Sequence, residues 1–264
     1  MNPTNAPKAM PTFTRHYALA SDPSHYRESS ALSQVFAQNS EFYSANIGAY
    51  WDNLFCTNCL FDRVQLNVLG SNPAQYWMRN CVLHGGALGL YEYSQTWPVW
   101  IEDCAFDNTS IYVENNSNGN TNQTYCDFNA FLTNDLLPMP GNHDVTNVHS
   151  FNWQSSWYGN YYQLANSPLI DRGSTTADKF AMYHFTTQTS QLKETNSIVD
   201  IGYHYVAADA NGNPIDTDGD GVPDYLEDSN GNGVYDAGDF GNWLISQLNG
   251  LSATNGLSVF TPLK

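Results

Sequence analysis

The chain has 264 residues, of which 41% are hydrophobic, 14% aromatic and only 13% charged. That length accommodates one large all-β domain with an appendage, or two ordinary domains, and the abundance of Tyr, Asn and Gly suits half-buried strands and turns better than helices. The net charge of −17 argues against nucleic acid or an anionic membrane as partner, and no apolar run approaches the ~18 residues that span a bilayer.

Residues 1–30 carry neither the basic nor the apolar region of a signal peptide. Either export information has been removed or the chain is a piece of a longer protein, and the lack of an obvious solenoid cap in 1–30 favours the second reading. From residue 31 the five cysteines set the frame. Cys56 and Cys59 have no second pair at zinc-site spacing. Cys59, Cys81, Cys104 and Cys126 are instead 22, 23 and 22 residues apart, a fixed period that marks a solenoid.

Alignment on those cysteines places Asn58, Asn80, Asp103 and Tyr125 just before them. Phe61, Leu83, Phe106 and Phe128 fall two residues after. Cys56, Met78 and Ile101 precede by three, a column that fails at Gln123. Val64, Leu66 and Val68, then Leu88 and Leu90, then Ile111 and Val113 alternate as inward positions of further short strands. Three short strands per coil describe a parallel β-helix, its coils stacked about 4.8 Å apart. The Asn column fits a tight left-handed corner, and the Cys column fits a buried stack of unbridged thiols.

Asn39–Phe42 precede Asn58–Phe61 by 19 residues and read as a shorter coil. After Phe128 the rhythm loosens into a Pro-, Gly- and Asn-rich excursion and an aromatic stretch, Trp153–Tyr162. Leu169–Gly173 and Ile198–Gly202 echo one another as two related terminal strands, joined by a long, partly helical loop at 174–196.

The irregular coils, the run Asn166–Ser174, the run Asp200–Tyr205 and the aspartate-rich tail resemble the C-terminal end of large bacterial secreted right-handed β-helix proteins. That resemblance implies an extracellular or cell-surface location and leaves the activity open.

Nine of the 26 acids lie between Asp209 and Asp239, and no Lys or Arg occurs from 194 to 263. Local acidity of this kind points to cation binding. Asp216, Asp218, Asp220, Asp224 and Glu227 occupy positions 1, 3, 5, 9 and 12 of a twelve-residue calcium loop. Gly221 stands at position 6, and Val222 offers its carbonyl at position 7. Asp228, Asn230, Asn232, Val234, Asp236 and Asp239 repeat the pattern immediately afterwards.

An oxygen-only donor set without His or Cys favours Ca2+ over zinc, copper or Mg2+. Without the metal the crowded acids repel, so the segment is expected to fold on binding. The abutting loops are similar to thrombospondin type 3 repeats. Phe240, Trp243, Leu244 and Leu248 are spaced as a short exiting helix ending at Gly250, which gives the second loop a dockerin-like or half EF-hand aspect.

For catalysis the candidates are Asp62, His84 and Asp107, three residues after successive column cysteines, with Asn129 as a fourth member. Two carboxylates on coils two apart lie roughly 10 Å apart, near the upper limit for an inverting hydrolase, and Arg63 offers a base or clamp for a polyuronate lyase. The alternative is the polar corner ladder of any solenoid. With nine Lys and Arg in total, the chain is poorly equipped for an anionic sugar. His143, His149, His184 and His204 read as loop or packing residues. Trp97, Trp100, Trp153, Trp157, Tyr161 and Tyr162 read as coil filling and cap, or as a sugar-stacking platform.

These readings divide the chain into an irregular segment (1–30), a right-handed parallel β-helix with irregular terminal coils (31–206), a tandem calcium-loop module (207–250) and a tail (251–264). The function expected is a calcium-binding structural or adhesive segment of an extracellular protein. Its partners are calcium ions and a polysaccharide or a surface protein. The alternatives are a polysaccharide lyase or glycoside hydrolase, or its remnant, and dockerin-like attachment to a scaffold.

Overall fold

The computed structural model describes residues 34–50, 53–70, 75–92, 99–115, 124–132 and 141–246. The segments 1–30 and 251–264 lie outside these, as do Trp97, Gln123, Leu248 and Gly250. The first half is a parallel β-solenoid. Its first level holds β1 (Gln34–Tyr43) and β2 (Asn46–Tyr50), and its second β3 (Asn53–Asp62) and β4 (Gln65–Gly70). The third level splits into β5 (Tyr76–Arg79), β6 (Val82–His84) and β7 (Ala87–Glu92). The fourth repeats that with β8 (Val99–Glu102), β9 (Ala105–Asp107) and β10 (Ser110–Asn115), and β11 (Thr124–Asp127) and β12 (Ala130–Leu132) begin a fifth. Every pairing between levels is parallel.

Asn39, Asn58, Asn80, Asp103 and Phe128 turn the first corner with φ between 48° and 58°, a conformation that Asn and Asp tolerate best. Ser44, Arg63, Gly85 and Asn108 turn the second, also at positive φ. Gly86 is required there twice over: its φ is 68°, and a Cβ would lie 2.1 Å from the Val64 carbonyl oxygen.

Between the corners the inward columns stack like on like. Ala37, Cys56, Met78, Ile101 and Cys126 form one, and Ile47, Leu66, Leu88 and Ile111 another. Phe42 stacks on Phe61 at 5.1 Å, and Phe106 on Phe131 at 4.9 Å. Each such pair adds about 0.5–1.5 kcal/mol beyond its buried area. The coil of 19 residues expected from Asn39–Phe42 is present, with Ser40 beside Cys59 and Phe42 beside Phe61. All five cysteines are unbridged and buried, and burial pushes the Cys126 thiol up to about 12, as befits an inert packing residue.

The last coil corrects the sequence alignment. Cys126 pairs with Ile101, and Phe131 with Phe106, so this coil is 25 residues long. Cys126 therefore continues the Cys56 column. The Cys59–Cys81–Cys104 column ends instead in Asn129, whose side chain bonds the Ile101 carbonyl and the Cys104 N–H. The corner residue is Phe128, not Tyr125. Two inward positions three residues apart both carry cysteine in the second coil, and a three-residue lengthening slid the match from one to the other.

The second half has little regular structure and clothes one outer face of the solenoid. β13 (Val145–Val148) extends the sheet beside β12. The outward column Leu60, Val82, Ala105 and Ala130 is then covered by Phe151, Tyr158, Tyr161, Tyr162, Leu169, Ile201, Tyr203 and Tyr205. Tyr161 and Tyr162 thus fill an outer core rather than the coil's interior. Trp77, Trp100 and Tyr125 form a separate outward ladder, with centroids 5.7 and 5.6 Å apart. Trp100 and Tyr125 are stacked, and Trp77 is tilted against Trp100.

Leu169–Gly173 and Ile198–Gly202 are not strands, because left-handed backbone at Asp171 and Gly202 breaks their extension. They do lie side by side: Ile201 N–H donates to Leu169 O, and Gly173 N–H to Val199 O. The 174–196 loop holds one 3-10 turn, Ala177–Phe180, and β14 (Phe185–Thr186), which pairs antiparallel with β15 (Tyr205–Val206).

Residues 198–206 form a strap across the coils, and it is the strap that the corner column chiefly bonds. Asn58 accepts from His204 N–H at 2.7 Å and donates to its carbonyl at 2.9 Å. Gly202 N–H donates to the Asp103 carbonyl. Ser174 donates twice to the Asp103 carboxylate. Among the described residues no helix is long and apolar enough to cross a membrane.

Candidate metal centre

The tail begins where Ile215 N–H bonds Ala207 O and Asp224 N–H bonds Ile215 O. Those bonds fold 216–223 into a loop, and Pro223 opens α1 (Asp224–Glu227), a single turn. Proline suits this place because the first helical donors lack partners anyway. Within the loop Asp216 accepts from Gly219 and Gly221 N–H, Asp218 from Asp220 N–H, and Asp220 from Val222 N–H. These bonds turn three carboxylates to one side. Oxygens of Asp216, Asp218 and Asp220 all lie within 4.8 Å of one another.

Glu227 lies near the group. Its side chain is 2% exposed, and Oε2 has no hydrogen-bond partner. Burial, then the charges of Asp218, Asp220, Asp224 and Asp216, push its pKa up to about 7. Gly241 keeps the space open, since a Cβ there would lie 2.3 Å from Glu227 Oε1. Asp218 also has a buried, unpartnered Oδ2, and partial burial with the charges of Asp220 and Asp216 raises its pKa. Burying unpaired carboxylate oxygens costs several kcal/mol unless something cationic meets them. The donor set is hard oxygen throughout, which fits Ca2+.

The second loop repeats the scaffold. Asp228 accepts from Asn232 and Gly233 N–H, Asn230 from Asn232 N–H, and Asn232 from Val234 N–H. Its side chains converge differently: the Asn230 and Asn232 amides both donate to Asp236, and Asp239 bonds Ser229 N–H. The three clustered carboxylates belong to the first loop.

Two loop positions also bond residues outside their own loops. The Asp224 carboxylate, 1% exposed, is held by Thr217 N–H and O–H and by Lys193 Nζ, each at 2.6 Å. Asp228 meets His184 Nε2 at 3.0 Å. Burial, then the nearby Lys193, holds His184 below its ordinary pKa. No spacing pointed to His184 or to Lys193, although Lys193 is the last base before the acidic stretch.

The helix expected from Phe240, Trp243 and Leu244 does not form over 240–246. The Asn242 side chain accepts from Leu244 N–H and its carbonyl from Ile245 N–H, a local turn that competes with helix. Trp243 instead packs on Tyr183 and His184.

Asp62, His84 and Asp107 do stand on adjacent coils in register. The column continues to Leu132, not Asn129. His84 Nδ1 lies 2.7 Å from Asp107, which also accepts from Trp153 Nε1 and Asn108. Asp62 pairs with the exposed Arg63. The column thus anchors the 151–161 segment on the coil. His143 bonds Asp127 on the surface, and buried His204 lies 3.3 Å from Glu194. No protein-family model matches the chain, and no curated protein or solved structure matches it.

Proposed function

We propose that residues 216–239 bind Ca2+ and that the chain is a calcium-stabilised structural or adhesive segment of an extracellular β-helix protein. Its coil is taken as right-handed, the hand that parallel crossover connections adopt. The observation that carries the reading is the buried Glu227 carboxylate, with an unpartnered oxygen, close enough to the Asp216–Asp218–Asp220 cluster for those charges to raise its pKa. Asp216, Asp218, Asp220, Glu227 and the Val222 carbonyl supply the first site. Asp228, Asn230, Asn232, Asp236, Asp239 and the Val234 carbonyl supply a second. Affinity on the order of 10⁻⁴–10⁻³ M, or somewhat tighter, suits an extracellular module.

A catalytic role for Asp62, His84 and Asp107 finds less support, because Asp107 already holds Trp153, His84 and Asn108. Calorimetric titration of Ca2+ into chelator-treated protein tests the proposal. Binding that Mg2+ does not reproduce supports it, and no binding refutes it.

A further inference from the structure

The acidic loops do not hang from the solenoid as a separate rod. Tyr183 N–H bonds the Gly231 carbonyl, and neither Gly231 nor Gly233 has room for a Cβ against Ala181 and Tyr183. Lys193 reaches Asp224 of the first loop, His184 reaches Asp228 of the second, and Lys193 Nζ lies 3.4 Å from His184 Nδ1. Both carboxylates are 1% exposed, so each base meets a charge that water does not reach. Buried contacts of this kind fix geometry, because removing the base strands a buried carboxylate.

The same segment holds the strap. Ala207 N–H bonds the His184 carbonyl, β14 pairs with β15, Thr187 bonds Asp200, and Glu194 meets His204. The strap in turn is bonded to Asn58, Asn80 and Asp103 at the corner of three successive coils and covers the apolar column Leu60–Val82–Ala105–Ala130. An unbroken set of buried polar contacts therefore runs from both loops to the solenoid.

Resting on the calcium reading above, we infer that Lys193 and His184 are positioning residues of the calcium centre, and that calcium binding and closure of the strap over the solenoid are one coupled equilibrium. Metal in the loops fixes Asp224 and Asp228, these fix the 183–194 segment, and that segment fixes the strap. Linkage makes the effect reciprocal: loosening the strap at the solenoid weakens calcium binding by the factor with which calcium tightens the strap.

The test uses the full chain and Ca2+ alone as the probe. Amide hydrogen exchange of strap peptides is followed with Ca2+ and with chelator, and Ca2+ affinity is measured calorimetrically. The variants are Asn58→Ala, the milder Ser174→Ala, Lys193→Met and Lys193→Arg. Asn58 and Ser174 contribute nothing to either loop. We expect Ca2+ to slow strap exchange roughly five- to fifty-fold, and Asn58→Ala or Ser174→Ala to weaken Ca2+ binding correspondingly. Lys193→Met should abolish the response of the strap, and Lys193→Arg should restore most of it. Calcium binding by the native chain with strap exchange unchanged, and with Asn58→Ala and Ser174→Ala binding like the native chain, overturns the coupling and leaves the calcium site standing. Absence of any Ca2+ binding by the native chain overturns both.

Discussion

Glu227→Gln should have opposite effects on stability with and without calcium. Glu227 is 2% exposed, its Oε2 lacks a partner, and its pKa is raised from 4.5 to about 7. A carboxyl whose pKa is raised on folding contributes stability that is fully present below its unfolded value and lost as pH rises through its folded one. At pH 8 without calcium the native chain therefore carries an ionised, crowded carboxylate that Gln removes. The full shift corresponds to about 3.4 kcal/mol. Allowing for relaxation and screening, about 1–3 kcal/mol of stabilisation is expected, or roughly 2–4 °C in melting temperature per kcal/mol. Near pH 4 the two chains should melt alike.

With Ca2+ at a hundred times its dissociation constant the native chain gains about 2.7 kcal/mol, and the variant, lacking its twelfth-position ligand, gains much less. Thermal melts at both pH values, with Ca2+ and with chelator, read all four cases. A variant destabilised equally at both pH values without calcium would make Glu227 an ordinary structural carboxylate, with no raised pKa behind it.

Asp200 offers a pH dependence of the same sign. Burial, then the Glu194 charge, pushes it up to about 7. His204 is also raised: burial opposes its charge, but the Glu194 carboxylate and Asp200 outweigh that. Stability from this cluster is thus present at acid pH and lost as pH rises through about 7, and Asp200→Asn should flatten the Asp200 part of that fall between pH 5 and pH 8 in chelator. Asp107→Asn should destabilise by about 1–3 kcal/mol and shift the Trp153 near-ultraviolet signal, because Asp107 anchors Trp153 Nε1 and His84. An unchanged melt would remove that column from the fold's supports.

The solenoid was legible because its coils repeat: Asn58, Asn80 and Asp103 sit where a left-handed corner is required, and Phe61, Leu83 and Phe106 stack in register. The last coil misled because Cys56 and Cys59 both point inward, so a match on cysteine could slide by three residues. The turns of the two acidic loops were readable for a different reason. Their donors lie within twelve residues, and the side-chain-to-backbone bonds that shape them are local. What lay beyond sequence was contact across distance. Nothing in the spacing of Lys193 and Asp224, or of Asn58 and His204, records that they meet, because aperiodic chain covers this face. The Trp243 turn was missed because helical spacing carries no information about the Asn242 side chain competing for the backbone.

The most direct test of the account is calorimetric titration of Ca2+ into chelator-treated native chain, beside an Asp216→Ala/Asp228→Ala double variant. Two binding events are expected in the native chain and neither in the variant. A native chain that takes up no Ca2+, or a double variant that binds it as the native chain does, would contradict the assignment of residues 216–239 as the metal centre.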